Sequence, residues 1–320
     1  MKLSVCLVTY NHVAFIEKAI QSVLDQRVDF DYELLIGDDG SNDGTSEICK
    51  RYESKYPKHI KHFIRDRSNV IYINGRPTGR RNFIELLQSA EGDYIAMLEG
   101  DDFWSDNSKL KRQLMSLEKS PEKSFCFHSV QLLKDGSLTQ DYLNEYTPEI
   151  VSASLIARGN MIRTCSVMFR NKYQNEIPEL LYRVPVGDYA MHLFNASGGD
   201  GIFINRNMAV YRMHEGGIWS TYKSMKRNLE WEEMLKEFVT VFDEPMRSNL
   251  IAQRLDVLKS LKNHYQSEND PEKVEELDFI LHQIKAEINV QNLVLPEKSK
   301  NNFSKKSIFD KLKFFFGKKA

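Results

Sequence analysis

Tyr94-Ile95-Ala96-Met97-Leu98-Glu99-Gly100-Asp101-Asp102 is the stretch on which the fold turns. Five apolar or aromatic residues in succession leave no polar face, so the run reads as a strand buried on both sides. Its acids come where such a strand emerges, and open α/β sheets bind ligands outside the carboxyl ends of their strands. Two earlier runs end in a similar way. Tyr32-Glu33-Leu34-Leu35-Ile36-Gly37 leads into Asp38-Asp39-Gly40-Ser41, and Leu3 to Val8 leads into Thr9-Tyr10-Asn11.

Helical periodicity fills the gaps between these runs. Phe15, Ile16, Ala19, Ile20, Val23 and Leu24 recur on one face, and Ile48 and Tyr52 mark a helix from about Gly44, with Asp43 as its cap. Ile60 to Ile64 reads as a strand, Phe83, Leu86, Leu87 and Ala90 as a helix, and Leu110, Leu114 and Leu117 as another. Strand-helix alternation predicts parallel strands joined by crossover helices. Further on, Phe125 to Leu133 reads as extended, 134–160 as loop-rich and Thr164 to Phe169 as strand. A helix is expected over Asp188 to Asn195, with strands near 201–205 and 208–213. Beyond about Tyr222 the pattern is helical and charged to about 290, and 291–307 reads as a Lys-rich linker.

The chain has 320 residues, 41% of them hydrophobic and 28% charged, enough for one large domain with an appendage. A net charge of −1 gives no whole-chain attraction to nucleic acid, and the basic residues lack an interleaved stacking platform. Cys6, Cys49, Cys126 and Cys165 are too scattered for a zinc site and read as reduced, buried thiols, which favours a cytoplasmic setting. Only Lys2 precedes the first apolar run, too little for a signal peptide, and no run is long enough to span a membrane.

The acids carry the chemistry. Glu99, Asp101 and Asp102 repel one another unless a cation or hydrogen bonds compensate, and a hard cation held by one or two carboxylates is usually shared with substrate phosphates. A solvated acidic turn is the plainer reading. Asp38-Asp39 can supply an acceptor for a base N–H, or only a turn and a cap.

The set Ser4-Val5-Cys6-Leu7-Val8-Thr9-Tyr10-Asn11, Tyr32 to Ser41, and Ala90-Glu91-Gly92-Asp93-Tyr94-Ile95 leading into Glu99-Gly100-Asp101-Asp102 resembles the inverting family-2 glycosyltransferases with a GT-A fold. The resemblance covers about residues 1–220, roughly two-thirds of the chain. It implies a mixed, mostly parallel α/β sheet flanked by helices over 1–220; beyond it, the residue pattern itself gives a helical extension over 221–290 and a separate segment over 291–320. The resemblance also implies roles. Thr9, Tyr10 and Asp39 would hold the base and ribose, Asp101 would sit by the ribose and diphosphate, and Asp102 would bind Mn²⁺ or Mg²⁺. Glu99 stands where many members carry the first Asp of a D-x-D.

Arg80, or its neighbour Arg81, lies on the segment that often faces the donor diphosphate, a charge that guanidinium suits. Val186-Gly187-Asp188-Tyr189-Ala190 resembles the helix carrying the general base, which points to Asp188; a helix cap is the plainer reading. Tyr211-Arg212-Met213-His214-Glu215-Gly216-Gly217 resembles the closing segment, where His214 would approach the metal or diphosphate, or else stand as a surface-loop histidine; Trp219 would cover a sugar face or pack as a lid residue. The implied donor is a nucleotide sugar, UDP by default, and the implied acceptor a glycan or lipid-linked glycan. The rival readings are a nucleotidylyltransferase, whose usual Gly-rich basic loop is replaced by Thr9-Tyr10-Asn11-His12, and a non-catalytic nucleotide-sugar scaffold.

The tail differs in texture. Between Glu297 and Ala320 eight lysines face two acids, and Phe309, Leu312 and Phe316 share a helical stripe. Residues 307–320 thus read as a basic amphipathic helix for peripheral contact with an anionic membrane face, or as a solvated tail.

Overall fold

The computed structural model describes residues 1–141, 147–214 and 224–294, in two compact units divided at Ser220/Thr221. In the first unit, strand β1 (Leu3–Thr9) is followed by helix α1 (Ile16–Leu24), β2 (Tyr32–Asp38), α2 (Thr45–Lys55) and β3 (Ile60–Ile64). A short hairpin, β4 (Ile71–Ile73) and β5 (Arg76–Thr78), precedes α3 (Arg80–Ser89) and β6 (Tyr94–Glu99). Strands β1, β2, β3 and β6 run parallel, in the order β6-β1-β2-β3. That is the crossover arrangement the alternating pattern predicts.

The register brings the strand ends level. Val8 pairs with Glu99 and Thr9 with Asp38, so β1, β2 and β6 all emerge along one edge of the sheet. Burial holds them there. Ile16, Ala19, Ile20 and Val23 of α1 are wholly buried in one core with Leu3, Val5 and Leu7 of β1. Each of the large aliphatics contributes about 2 kcal/mol when removed from water.

The second half of this unit adds β7 (Phe103–Trp104), α4 (Lys109–Lys119), β8 (Phe125–Lys134), β9 (Ser137–Gln140), β10 (Ile150–Val151) and α5 (Ala153–Ile156). It continues with β11 (Met168–Arg170), α6 (Leu180–Arg183), α7 (Gly187–Ser197) and β12 (Gly201–Met213). Together the strands make a ten-stranded mixed sheet in the order β10-β12-β8-β11-β6-β1-β2-β3, with β7 on β12 and β9 on β8. Antiparallel β11 joins the two halves, lying between β6 and β8.

Several expectations need correction. Thr164 to Ser166 is a 3₁₀ turn, and only Met168 to Arg170 forms a strand. The strands expected near 201–205 and 208–213 are one strand, β12, interrupted by a register shift between Ile204 and Ala209. Two-residue β7 and the β4–β5 hairpin have no periodic signal to announce them. The second unit consists of α8 (Ser224–Val241), α9 (Met246–Ser267) and α10 (Pro271–Val294), with α9 packed against both others. Helix α10 runs on into the expected linker, as far as Val294. Among the described residues no helix is long and apolar enough to cross a membrane. The readings on Glu215 to Trp219 and on the tail over 307–320 lie outside the described residues.

Candidate active site

The exits of β1 and β2 are stitched together. Asn11, in a left-handed conformation at φ 54°, donates its backbone N–H to Ser41 Oγ at 2.8 Å and accepts from the Asn42 N–H at 3.0 Å. Asparagine tolerates that conformation better than most residues. His12 N donates to Thr45 Oγ1 at 2.8 Å, and Val13 N to Asp43 Oδ2 at 3.0 Å. Asp43 also takes the Thr45 N–H at 3.0 Å, so it caps the start of α2 from one residue before Gly44, the cap position.

The two adjacent aspartates have different duties. Asp38 is fully buried and accepts from Ser41 N at 2.9 Å, Ser41 Oγ at 2.6 Å and Ser46 Oγ, with the His62 ring 3.7 Å away. Burial pushes its carboxyl up, but these donors together hold it below the usual range. It shapes the loop and has little left for a ligand. Asp39 is hydrogen-bonded through its backbone to Thr9 O at 3.0 Å, while its Oδ2 is paired with Arg67. Burial raises its carboxyl to about 6 despite that pairing. Arg67 also lies 4.1 Å from the centroid of the Tyr10 ring, and Tyr10 is 40% exposed. Thr9 is buried, its Oγ1 3.2 Å from His12 Nδ1.

At the end of β6, Asp101 and Asp102 also diverge. Asp102 is 1% exposed; its Oδ1 accepts the Arg212 N–H at 2.8 Å and its Oδ2 is buried without a hydrogen bond. Asp101 faces two imidazoles, with His214 Nε2 at 3.0 Å and His12 Nε2 at 3.9 Å from its Oδ2. Phe15 supports this group, its ring centroid 5.1 Å from that of His214, and the Arg212 guanidinium stacks on Phe15 and Phe103 at 4.9 and 4.8 Å. Gly100 is required here, because a Cβ would lie 2.5 Å from Thr9 Oγ1 and 2.8 Å from His12 Nδ1.

Asp188 is the second residue of α7, after Val186 as cap. It satisfies the helix start, accepting the Tyr189 N–H on Oδ1 at 2.8 Å, and its Oδ2 accepts from Asn160 Nδ2 at 3.1 Å.

These residues follow one another as neighbours along the strand ends. Asp39 Oδ2 lies 3.7 Å from where a Cβ on Gly79 would stand, next to Arg80 at the start of α3. Arg80 in turn packs against Gly187, whose Cβ would lie 2.4 Å from the guanidinium carbon, and Asp188 follows. Glu99 feels Asp102, Asp101 and Asp188 together; burial first, then these three charges, raises its carboxyl well above the usual range, with Arg163 opposing. Gly100 N donates to Val8 O at 2.8 Å, which leads back to β1. Burial and Asp101 likewise raise Asp102, against the Arg212 N–H.

One expected residue has its donors engaged elsewhere. Arg80 is 7% exposed and gives its guanidinium to three carbonyls, Leu181 O at 2.5 Å, Val184 O at 2.9 Å and Pro185 O at 3.4 Å. Its charge ties α3 to the segment before α7 rather than meeting a diphosphate. Arg81 pairs with Glu85 at 2.6 Å. Sequence reasoning also missed His12, Arg67, Asn160 and Arg163. The last of these pairs with Asp141 at 2.7 Å and lies over the Tyr211 ring. Only His12 stands within a quoted motif; the others are brought in by chain packing that spacing does not encode.

Asp101 Oδ2 and His214 Nε2 are 3.0 Å apart, close to the ~3 Å separating neighbouring ligands in an octahedral shell of ~2.1 Å bonds. Among the described residues no three His, Cys, Asp or Glu side chains form a ready metal cage, so phosphate and water oxygens would complete the shell. A polar hollow of about 480 Å³, lined by Arg27, Asp106 and Arg206 among others, lies apart from these acids.

Residues 4–175 match the model of Glycosyl transferase family 2, and the chain belongs to that family. It is 31% identical to an uncharacterized protein of Mycobacterium tuberculosis over 72% of its length and 64% of the relative's, so it spans under two-thirds of that protein. It is 30% identical to the Bacillus subtilis glycosyltransferase TuaG, named for teichuronic acid biosynthesis, over 70% of this chain and 84% of TuaG. Its fold is that of Staphylococcus aureus TarS 1-349, solved with UDP-GlcNAc (TM-score 0.56, 16% identity, covering 88% of this chain and 92% of that one). The same fold is found in the mannosyltransferase PcManGT of Pyrobaculum calidifontis, solved with GDP-Man and Mn²⁺ (TM-score 0.57, 16% identity, covering 89% and 75%).

Proposed function

We propose that this chain is a cation-assisted, inverting glycosyltransferase. It moves a sugar from a nucleoside diphosphate, UDP by preference, to a hydroxyl of a surface polysaccharide or glycolipid. The observation that carries the reading is the succession of neighbours from Asp39 past Gly79 and Arg80 to Gly187 and Asp188, with the Asp188 charge acting on Glu99. A bound cation would supply positive charge against the diphosphate leaving group. Asp101 and His214 would hold it together with Asp102, which has one oxygen engaged by the Arg212 N–H and the other buried without a hydrogen bond.

Tyr10 with Arg67 offers a flat platform for a base, and Asp39 keeps Oδ1 for a base N–H. Asp188 takes the proton of the acceptor hydroxyl as that oxygen attacks the anomeric carbon opposite the leaving group. The relative named for teichuronic acid biosynthesis supports a polysaccharide acceptor. The Lys-rich residues 307–320 would bring the enzyme to the cytoplasmic membrane face, where a lipid-linked glycan waits.

Asp188→Asn tests the base. With a panel of UDP- and GDP-sugars, the variant should stay folded and bind nucleotide while transfer falls by about 10²- to 10⁴-fold. Near-normal transfer would remove Asp188 from the mechanism. Release of pyrophosphate in place of nucleoside diphosphate would favour the nucleotidylyltransferase reading.

A further inference from the structure

We propose that Asn160 is a positioning residue for this chemistry, orienting Asp188 through one side of its amide and receiving an acceptor hydroxyl on the other. The inference rests on the assignment of Asp188 as base. Among the described residues Asn160 is the one side chain that donates to Asp188, through Nδ2 at 3.1 Å to Oδ2. The other carboxylate oxygen is fixed by the Tyr189 N–H at 2.8 Å, so the two bonds together set the plane of the carboxylate. Asn160 Oδ1 is buried and has no donor. A buried amide oxygen left unpaired is costly, and a donor arriving with the substrate would relieve that cost. An acceptor sugar carries such donors on the hydroxyls beside its nucleophile.

The loop that presents Asn160 is itself anchored. Tyr189, fully buried on α7, donates its hydroxyl to Ile156 O at 3.1 Å, at the end of α5. Three residues after Asn160, Arg163 pairs with Asp141 and acts on Glu99. A single stretch of chain therefore brings an amide to Asp188 and a guanidinium whose charge acts on Glu99.

Three other groups face Asp188. Glu99 comes from β6, Arg80 from α3, and His192 lies one turn later on α7 itself. Arg80 has its guanidinium engaged by carbonyls, and burial pushes His192 down to about 4, which leaves it neutral at working pH. Neither replaces the amide as a hydrogen-bond donor to the carboxylate.

The test uses the full chain with Asn160→Ala and Asn160→Asp, beside Asp188→Asn. Losing a donor to the ionised carboxylate makes it easier to protonate, so the acidic limb of kcat/KM should move to higher pH in Asn160→Ala, by about one unit. Asn160→Asp, which places a like charge there, should move it further. Acceptor KM should rise while UDP binding in the presence of Mn²⁺ stays unchanged. A readout independent of turnover is the carboxyl carbon resonance of Asp188 in aspartate-labelled protein, assigned by its loss in Asp188→Asn. Its titration midpoint should rise in Asn160→Ala relative to the unsubstituted chain. An unmoved resonance and an unmoved acidic limb would overturn the role of Asn160, even with Asp188→Asn inactive. An active Asp188→Asn protein would overturn the base assignment instead.

Discussion

Asp38 and Asp39 are neighbours of one residue type, yet the fold separates them completely. Asp38 closes β2 and Asp39 opens the loop after it, so one side chain enters the loop scaffold and the other turns to Arg67. Nothing in the pair's spelling distinguishes them; the distinction lies in Ser41, Ser46 and His62 on one side and Arg67 on the other. A stability prediction follows for Asp39. Its folded carboxyl titrates near 6 against an ordinary value of 3.8, so the protonated form is favoured by folding. The associated stability is present below about pH 4 and is lost as pH rises through 6. Asp39→Asn should therefore raise Tm at pH 8, by at most about 3 kcal/mol in stability, with little gain near pH 4. Its affinity for UDP should fall at the same time. Thermal melts at the two pH values, with and without UDP, check both halves.

At the scale of elements, the parallel half of the sheet is legible in the sequence because buried parallel strands are unbroken apolar runs and their crossovers are amphipathic. β1, β2, β3, β6, α1 and α4 are all announced in that way. β7 has two residues and the hairpin of β4 and β5 has three per strand, too short for any period. Thr164 to Ser166 reads as strand because its residues are small or β-branched, but the chain must turn there to hand β11 to β6. Arg80 is the sharpest miss. A guanidinium at a helix start near a donor site reads naturally as a phosphate ligand, and only packing reveals the three carbonyls it satisfies. Arg80→Lys should consequently destabilise the fold, on the order of 3 kcal/mol, since one ammonium cannot serve three buried acceptors in that geometry. Urea unfolding measures this, and donor KM in the remaining folded protein should change little. A large KM effect with normal stability would return Arg80 to the donor.

For the whole molecule, the proposed donor side draws on the strand ends of the first hundred residues, and the candidate base arrives from α7, far along the chain. Long-range placement of this kind is why Asn160 and Arg163 could not be read from spacing, while Asp188 is singled out by the family resemblance of the residues that flank it and not by its spacing. The two halves should respond to nucleotide together. UDP at 100 times its Kd should stabilise the protein by about 2.7 kcal/mol in the presence of Mn²⁺. EDTA should abolish most of that gain, and Asp101→Ala or His214→Ala should abolish it without EDTA. Differential scanning with UDP, GDP and each metal measures the effect. Equal stabilisation with and without metal would remove the cation from donor binding.

All four cysteines of the chain are fully buried, and burial pushes the Cys49 and Cys126 thiols up to about 12. Maleimides and other alkylating dyes attack thiolates that solvent can reach, so the native protein offers them no handle. One cysteine introduced at an exposed place such as Tyr72 would become the single reactive handle on the surface. The chain is thus ready for site-directed fluorophores or spin probes without first being stripped of its own sulfur.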